Sequence, residues 1–418
     1  MADITLDEFT AEAEEFLAAS APRKRAEEKF EWGKGSDKVA MFEEKDRAEE
    51  LVDLERACAW RRAKFDAGYG WISGPTEFGG RQLPNSYQRA FDALESQFQT
   101  PNQSYFTIGL GMVAPTIAVH ASEAAKKAYV AQMYRADIVG CQLFSEPGAG
   151  SDLASLQTKA EKDGDVWVIT GQKVWTSGAH YSDIGEIIAR TDPSLPKHKG
   201  LTGFIVNMRD PAVEIRPLRQ MTGGASFNEV FFNELRVPDD HRLGDVNNGW
   251  NVALTTLMNE RAAIGGGGGG GGLTHRVIEM TRHFGLSDDP VTRQMLAGVL
   301  IHQRVSGLNN QRAMDKIKAG GLPGPEMSMA KLAGTMNMRR LGDFVSHVLG
   351  ARMVADTGEW GTYAWNQLVL GTPGGRIAGG SDEVMRNIVG ERVLGLPKDA
   401  GIDSKSPFNE IKVGTQKA

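Results

Sequence analysis

The sequence predicts an α+β protein with an N-terminal helical domain (1–137), a middle β-barrel domain (138–240) and a C-terminal helical bundle (241–400). Apolar residues recur every three or four positions in the first and third segments, which is the spacing of amphipathic helices. In the middle segment, short runs of β-branched and aromatic residues alternate with turn residues, as in small all-β domains. The charged segment 401–418 is expected to be a polar, mobile tail.

Helix signals are strong in the first domain. Thr5 is followed three residues later by Glu8, which predicts a capping box at the start of an amphipathic helix that continues through Leu17. Apolar residues at helical spacing predict a second helix over 48–67 and a helix pair over 114–133. The first domain is therefore predicted to be helical, with glycine-bearing loops between its helices.

Strand signals define the second domain. Five strand-like runs lie between turn residues: 166–170, 186–189, 202–206, 213–216 and 229–232. Gly171 follows the first run, and a further short run, 174–177, comes after it. Two short strands around a glycine predict a β-hairpin whose second strand ends on Trp175, Thr176 and Ser177.

The composition excludes several classes of protein. A net charge of −6, with acids and bases interspersed over 418 residues, gives no electrostatic support for nucleic-acid binding. The chain has no run of about 18 apolar residues, so a membrane span is not expected, and its acidic beginning lacks the apolar stretch of a signal peptide. Cys58 and Cys141 are expected to be buried or half-buried free thiols in a reducing, cytoplasmic compartment.

Eight consecutive glycines, 265–272, interrupt the helical pattern of the third domain. Each glycine costs about 1 kcal/mol relative to alanine inside a helix, so an isolated helix would end at Ile264. Two interpretations stay open: a flexible linker between helices, or a helix held by tertiary packing that admits a bulky neighbour. A phosphate-binding loop is disfavoured, because no strand precedes the run and no lysine or acidic partner follows it.

The segment 145–152, with the sequence SEPGAGSD, is a small polar turn that follows the apolar pair Leu143 and Phe144. Gly148 and Gly150 lack a Cβ atom, so the backbone of this turn can approach a ligand closely. Backbone N–H groups in such a turn can bind phosphate oxygens. The turn is therefore a candidate site for a flat or phosphorylated ligand.

This turn belongs to a set of motifs that resembles the acyl-CoA dehydrogenase family. SEPGAGSD, GQKVWTSGA and EVFFNELRVPDD are similar to that family's middle domain in order and spacing. NERAAI and GGSDEVMRNIVGERVLGLP extend the resemblance through the last third of the chain, whereas the first third matches loosely. The resemblance implies an enzyme that binds flavin adenine dinucleotide (FAD) and removes two hydrogens from the α and β carbons of an acyl-CoA thioester.

The resemblance also implies where the catalytic base stands. Many family members carry a glutamate in a late Tyr-Glu-Gly-Thr segment, but here the matching position is Gly379, which cannot accept a proton. Other members, including isovaleryl and long-chain types, carry it earlier in a Glu-Arg pair, which matches Glu260 and Arg261. Glu260 borders an apolar stripe (Leu254, Leu257 and Met258), so we expect a raised pKa and a role as general base. The alternative is a solvated carboxylate paired with Arg261.

The remaining site residues are also assigned from the resemblance. It implies a set of residues that bind the cofactor: Gln142, Phe144, Ser145, Gly150, Ser151, Trp175, Thr176, Ser177, Ser381 and Glu383. It implies a smaller set that binds the acyl-CoA substrate: Ser151, Arg261 and the backbone of Gly379. Considered alone, Trp175 would be a core aromatic residue and Ser145 a turn hydroxyl; the surrounding motif favours the cofactor.

Two segments depart from the family pattern. The family's Arg-x-x-Phe-Gly segment, which reaches the flavin of a neighbouring subunit, corresponds to 281–285, where Arg282 stands one position closer to Phe284. The family's Gln-x-x-Gly-Gly-x-Gly stretch has no clean counterpart before Trp360. These changes weaken the expected contact with the adenine end of a neighbour's cofactor, but not the flavin site itself.

The resemblance further implies a homo-oligomer, either a dimer or a tetramer, that passes electrons to an electron-transfer flavoprotein. Two alternatives stay open. One is a weakly active or non-catalytic subunit of a hetero-oligomeric acyl-CoA dehydrogenase. The other is an acyl-CoA oxidase or flavin monooxygenase of the same fold that uses oxygen.

Overall fold

The computed structural model describes residues 4–24, 30–40, 45–265, 271–318, 324, 327–398 and 403–411. The α-helices in this part of the chain are α1 (Leu6–Ser20), α2 (Arg47–Asp66), α3 (Asn85–Glu95), α4 (Ala114–His120), α5 (Glu123–Arg135), α6 (Gly249–Gly265), α7 (Gly271–His283), α8 (Pro290–Lys318), α9 (Met327–Leu349), α10 (Asn366–Ile377) and α11 (Asp382–Ile388). The strands are β1 (Gly140–Leu143), β2 (Lys159–Asp163), β3 (Val166–Ser177), β4 (Ile184–Arg190), β5 (Leu201–Asn207), β6 (Val213–Leu218), β7 (Phe227–Pro238) and β8 (Arg242–Leu243). Helical segments therefore flank a central sheet, which confirms the predicted fold class.

The N-terminal helices begin where the sequence predicts. The backbone N–H of Glu8 donates to Thr5 Oγ1 at 3.3 Å, and the backbone N–H of Thr5 donates to Glu8 Oε2 at 2.9 Å, so the capping box is confirmed. Phe9, Ala13 and Leu17 form the buried stripe of α1. The predicted helix over 48–67 is α2, and the predicted pair is α4 and α5.

The eight strands form one sheet in the order β6-β7-β3-β2-β4-β5-β8, and β1 pairs in parallel with β4. All five predicted strand runs lie inside observed strands, namely β3, β4, β5, β6 and β7. The sequence analysis missed β1, β2 and β8. β1 and β8 have only four and two residues, too few for an alternating pattern to show.

The predicted hairpin at Gly171 is wrong. β3 continues through this residue as a single twelve-residue strand paired along β7. A Cβ atom on Gly171 would lie 2.4 Å from Thr158 Oγ1 and 2.7 Å from the Thr158 Cα. A glycine is therefore needed here because the backbone of Thr158 lies too close for a side chain, a common reason for a glycine inside a strand.

The central strands β4 and β5 are buried on both faces. One face, with Ile187 and Phe204, belongs to a core enclosed by the sheet. The other face, with Ile188 and Ile205, packs against the helices α4, α5 and α6 through residues such as Val252. Nearly every residue of both strands is consequently buried. Helix α6 packs directly on the sheet.

The buried face of α6 differs from the expected one. Val252, Ala253 and Thr256 are buried, whereas Leu254 is 37 % and Met258 is 61 % exposed. The expected apolar stripe of Leu254, Leu257 and Met258 is therefore mostly a surface of this chain, because the sheet covers the opposite side of the helix. The central glycines 266–270 lie outside the described residues; α6 ends at Gly265 and α7 begins at Gly271.

Part of the segment expected to be a mobile tail packs against the sheet domain. The backbone N–H of Phe408 donates to the Leu195 carbonyl at 2.9 Å, and that of Asn409 donates to the Pro193 carbonyl at 3.0 Å. The Arg190 guanidinium lies 3.7 Å from the Phe408 ring centroid. Residues 403–411 are thus fixed by hydrogen bonds and a cation–π contact.

Both cysteines are buried, as expected, and burial raises the pKa of the Cys141 thiol to about 12. Within the described residues, none of the helices has the length and apolar character needed to cross a bilayer.

Candidate functional site

A buried ion pair holds the turn 145–152 against β3. Lys173 Nζ donates to Glu146 Oε1 and to the Phe144 carbonyl, each at 2.9 Å. The other Glu146 contacts come from the backbone N–H groups of Gln157 at 2.7 Å and Thr158 at 2.9 Å. Every charged atom of the pair therefore has a partner, which a buried pair needs to offset its lost hydration.

The electrostatics of this pair follow from its burial. Burial alone would raise the pKa of Glu146, but the Lys173 ammonium and the hydrogen bonds from Thr158 and Gln157 bring it below its ordinary value. Burial lowers the pKa of Lys173, and the Glu146 carboxylate opposes that change. The Lys173 ammonium and the Glu146 carboxylate are therefore both charged, and their contact fixes the start of the turn to the middle of β3.

A second ion pair fixes the far end of the turn. Lys197, which is 2 % exposed, donates to both carboxylate oxygens of Asp152 at 2.7 and 2.8 Å. Arg190 Nη2 donates to the Ala154 carbonyl at 2.6 Å and the Leu156 carbonyl at 3.2 Å. The glycines between these two anchors therefore have a defined backbone path.

The end of β3 forms a wall beside this turn. The Val174 N–H donates to the Ser145 carbonyl at 2.8 Å, and a β-bulge follows between Lys173 and Thr176. Inside the bulge, Trp175 has a φ of 62° and is 60 % exposed. A left-handed, bulky residue is uncommon and marks stored strain, which often accompanies a functional site. The alternative of a core aromatic residue at Trp175 is therefore wrong.

Several groups on this wall fit a flat ring that carries phosphates. Thr176 Oγ1 is buried and has no hydrogen-bond partner among the described residues. A Cβ atom on Gly148 or Gly150 would have no atom of the described residues within 4 Å, apart from those of its chain neighbours, so the described part of the chain leaves this side of the turn open. Such a turn, next to an exposed indole, can hold a dinucleotide with a planar aromatic ring.

The structure brings together the predicted cofactor residues of β1, the turn 145–152 and the end of β3. Gln142, Ser145 and Ser177 are half-buried, and Gly150 and Ser151 are exposed, along β1, the turn and β3. Phe144 differs, because its ring is buried in the core beneath the helices and offers little surface to a ligand.

The predicted C-terminal cofactor residues lie elsewhere in the chain, in the connection from α10 to α11. Ser381 Oγ accepts a hydrogen bond from the Val384 N–H at 3.3 Å and so caps α11. Glu383 is exposed and pairs with Arg386 at 3.4 Å on the same helix. Gly379 has a φ of 64°, in the left-handed region that favours glycine. Among the described residues, no hydrogen bond joins these three positions to the turn.

Sequence reasoning missed Asp382, which organises this connection. Its carboxylate is fully buried and accepts from Arg376 Nε at 2.7 Å, Thr335 Oγ1 at 2.8 Å and Lys331 Nζ at 3.4 Å. An Asp directly after an N-cap serine is a common surface feature, so only the packing on α9 distinguishes this one.

Glu260, the predicted base, is half-buried on α6. It stands four residues, about one helical turn, after the buried Thr256. The side chain of Arg261 lies outside the described part of the chain.

The segment that departs from the family pattern is used within this chain. Thr281 is buried and donates to the Val277 carbonyl at 2.8 Å. Arg282 pairs with Glu279 on its own helix at 2.5 Å, and His283 stacks on Trp32 with ring centroids 5.5 Å apart. Thr281, Arg282 and His283 therefore each have a described partner within this chain.

Comparisons with known proteins identify the class. The family model for the acyl-CoA dehydrogenase middle domain matches residues 141–235, and that for the acyl-CoA dehydrogenase C-terminal domain matches 247–394. The chain is 35 % identical over 405 residues to acyl-CoA dehydrogenase IpdE1 of Mycobacterium tuberculosis, covering 94 % of this chain and 99 % of that protein. This protein belongs to the acyl-CoA dehydrogenase family.

Solved structures agree with this assignment. The Tcur3481-Tcur3483 steroid ACAD is 27 % identical, with a TM-score of 0.71 over 94 % of this chain and 98 % of that one. The ChsE4-ChsE5 complex from Mycobacterium tuberculosis is 24 % identical, with a TM-score of 0.69 over 96 % of this chain and 100 % of that one. The second likeness supports the fold alone.

Removing the ammonium of Lys173 tests whether the buried pair organises the turn. Lys173→Met keeps much of the side-chain volume but leaves the Glu146 carboxylate buried without its counter-charge. We expect the free energy of unfolding, measured by chemical denaturation, to fall by about 3–5 kcal/mol. In the double variant Lys173→Met/Glu146→Gln the loss should be smaller, because no charge is buried. A double variant as unstable as Lys173→Met would contradict this account.

Proposed function

We propose that this acyl-CoA dehydrogenase uses FAD to introduce a double bond between the α and β carbons of an acyl-CoA thioester. The observation that carries the proposal is the exposed, strained Trp175 beside an open glycine turn, inside the segment that matches the family's middle domain. A strained backbone that exposes an indole is uncommon unless a ligand or a partner covers the ring. The isoalloxazine ring of FAD is the ligand that this family would place there.

The residues of the chain then have distinct roles. Ser145, Trp175, Thr176 and Ser177 would line the ring, and the backbone from Gly150 to Ser151 would hold phosphate oxygens. FAD, when bound, supplies a hydride acceptor at N5 for the hydrogen on the β carbon.

Glu260 is the proposed general base. Its carboxylate would accept the α-proton, so that the carbon–hydrogen bond breaks with its electron pair left on the α carbon. The Gly379 N–H would donate to the thioester carbonyl and stabilise the charge that develops on its oxygen. Glu260 lies five residues before the end of α6, and the earlier turns of this helix pack on the sheet, which restrains the helix that carries the base.

The acyl group is proposed to be wide and ring-bearing rather than short and straight. Two observations support this. The Tcur3481-Tcur3483 steroid ACAD is 27 % identical to this chain. The glycine run close behind Glu260 in the sequence lacks side chains that would fill the space near the base.

We also propose that the chain works in an assembly with at least one further chain of this fold. Ile301, Val305 and Leu308 lie at helical spacing along α8 and are 60 %, 48 % and 56 % exposed. An apolar stripe of this kind is costly in water and typical of subunit contacts. The partner could be a second copy or, as in the ChsE4-ChsE5 complex, a different chain. An electron-transfer flavoprotein in the cytoplasm is the proposed acceptor of the electrons.

A matched pair of glycine variants tests the cofactor site. Gly150→Val adds a side chain where nothing lies within 4 Å, so the protein should fold but lose bound FAD. Gly171→Val places a side chain against Thr158 and should lower stability by about 1–3 kcal/mol. Visible absorbance and thermal unfolding of both purified proteins measure the two effects. Full FAD content in Gly150→Val would remove the turn from the cofactor site.

The base is tested by Glu260→Gln, in which an amide replaces the proton-accepting carboxylate. Bound FAD should stay, while the rate of flavin bleaching by acyl-CoA under anaerobic conditions should fall about 10²–10⁴-fold. Glu279→Gln on α7 serves as a control of equal chemistry and should bleach at the normal rate. Normal bleaching by Glu260→Gln would place the base elsewhere.

Charge on the α8 stripe tests the assembly. The double variant Ile301→Glu/Leu308→Glu should lower the molar mass in solution, measured by light scattering, because burying two carboxylates in a contact is unfavourable. Arg89→Glu on α3 is the control and should leave the mass unchanged. An unchanged mass in the double variant would show that subunits meet through another surface.

A further inference from the structure

A buried carboxyl group lies between the sheet and the helix that carries the proposed base. Glu186, on β4, is fully buried and shares its face of the sheet with Ile184 and Ile188, which pack against α6. Its Oε1 lies 2.6 Å from Thr256 Oγ1. Its Oε2 is buried and has no hydrogen-bond partner among the described residues. A lone carboxyl in such a place costs stability, so it calls for an explanation.

The surrounding hydroxyls favour the protonated form of the carboxyl. Thr256 Oγ1 lies 2.9 Å from Thr116 Oγ1, and Thr116 Oγ1 lies 2.8 Å from the Met112 carbonyl. With the contact to Glu186, these are three short oxygen–oxygen contacts, and each needs one hydrogen. Thr256 Oγ1 also lies 3.3 Å from the Val252 carbonyl, so the two threonine hydrogens cannot serve every contact, and a proton on Glu186 allows one more of them to form. The contacts form a continuous chain only when Glu186 is protonated.

This chain joins four elements around the proposed base. It runs from β4 to α6, then to α4, and ends at Met112 in the π-helical turn Gly109–Val113, a kind of irregularity that is frequent at functional sites. Glu260 lies one turn after Thr256, and side chains four apart on a helix are neighbours. In the parallel pairing of β1 with β4, Gln142 is the residue directly opposite Glu186. Glu186 thus lies between the strand that leads into the cofactor turn and the helix of the base.

We propose that Glu186 is a positioning residue for Glu260: as a neutral acid it fixes α6 on the sheet through Thr256, and it keeps a second negative charge away from the base. The proposal rests on the proposed function, because Glu260 must be the base. It assigns a purpose to a carboxyl that touches neither cofactor nor substrate in the scheme above.

The protonation state sets a pH window. Burial raises the pKa of Glu186 to about 8, and the hydrogen bond that Thr256 can donate to the ionised carboxylate partly opposes this. The titratable groups on β4, β1, α4 and α6 are Arg190, Cys141, His120, Glu260 and Arg261, the last with its side chain outside the described part of the chain; β5 carries none. Burial lowers the pKa of His120 and raises that of Cys141, so both are neutral at pH 8. Loss of the Glu186 proton would then add one negative charge near Glu260.

The sign of the stability effect follows directly. In the unfolded chain the Glu186 carboxyl ionises near its ordinary pKa of about 4.3. The folded protein retains the proton up to about pH 8, so between these values it binds more protons than the unfolded chain. Stability from this group is therefore highest at low pH and falls as pH rises through the window, becoming constant above it.

The first measurement is the pH profile of flavin bleaching by acyl-CoA in the holoenzyme. For the natural protein we expect the rate to fall about fivefold between pH 8 and pH 9, as Glu186 ionises. Glu186→Gln keeps a donor for Thr256 and cannot ionise, so its profile should stay flat over that interval at unchanged FAD content. Glu186→Leu removes the donor and should lower kcat about tenfold with KM little changed. An alkaline fall of equal size in Glu186→Gln would overturn the proposal.

The second measurement separates this proposal from the proposed function. The denaturation midpoint of the natural protein should fall from pH 5 to pH 8, and that of Glu186→Gln should fall less, whatever reaction the enzyme performs. If no acyl-CoA bleaches the natural holoenzyme, the proposed function fails, and the positioning role fails with it even if the midpoints behave as expected. If bleaching occurs but the two midpoint curves run parallel, Glu186 is not the neutral acid described here, and the positioning proposal alone fails.

Discussion

The candidate site depends on one buried ion pair, between Lys173 and Glu146. Neither charge could be buried alone, because the lost hydration would exceed any local gain. Together they tie the middle of β3 to the start of the glycine turn, and the backbone N–H groups of Gln157 and Thr158 complete the coordination of the carboxylate. The bulge that exposes Trp175 begins at Lys173, so the wall and the turn share one anchor. The geometry offered to a cofactor is therefore set before any cofactor binds.

The opposite side of the site is set by how α6 lies on the sheet. Because β4 and β5 are buried on both faces, a carboxyl on β4 loses nearly all contact with water, and its chemistry changes from that of a charge to that of a neutral donor. The same packing turns Thr256 inward and leaves Met258 outward. The position of Glu260 is thus a consequence of sheet packing one turn earlier in its own helix.

Several large apolar side chains are exposed on the surface of the single chain. Trp175 and Met258, together with the α8 stripe, are apolar and exposed, whereas Thr281 and Arg282 have polar partners within the chain. These exposed apolar side chains are the described surfaces at which the proposed cofactor and a further subunit would be placed.

The sequence by itself determined the class of the protein, the order of its helical and sheet segments, the capping box at Thr5 and Glu8, and the turn at 145–152. These features depend on residues close together in the chain, such as an N-cap and its partner or alternating side chains on one strand. The tertiary structure alone decided that β3 passes straight through Gly171, that Leu254 and Met258 face outward, and that Glu186 and Asp382 are buried. Each of those outcomes depends on a segment distant in sequence: Thr158 for Gly171, the sheet for α6, Thr256 for Glu186, and Lys331 with Thr335 for Asp382. No pattern within a short window contains both partners of such a contact, so only the folded chain could reveal them.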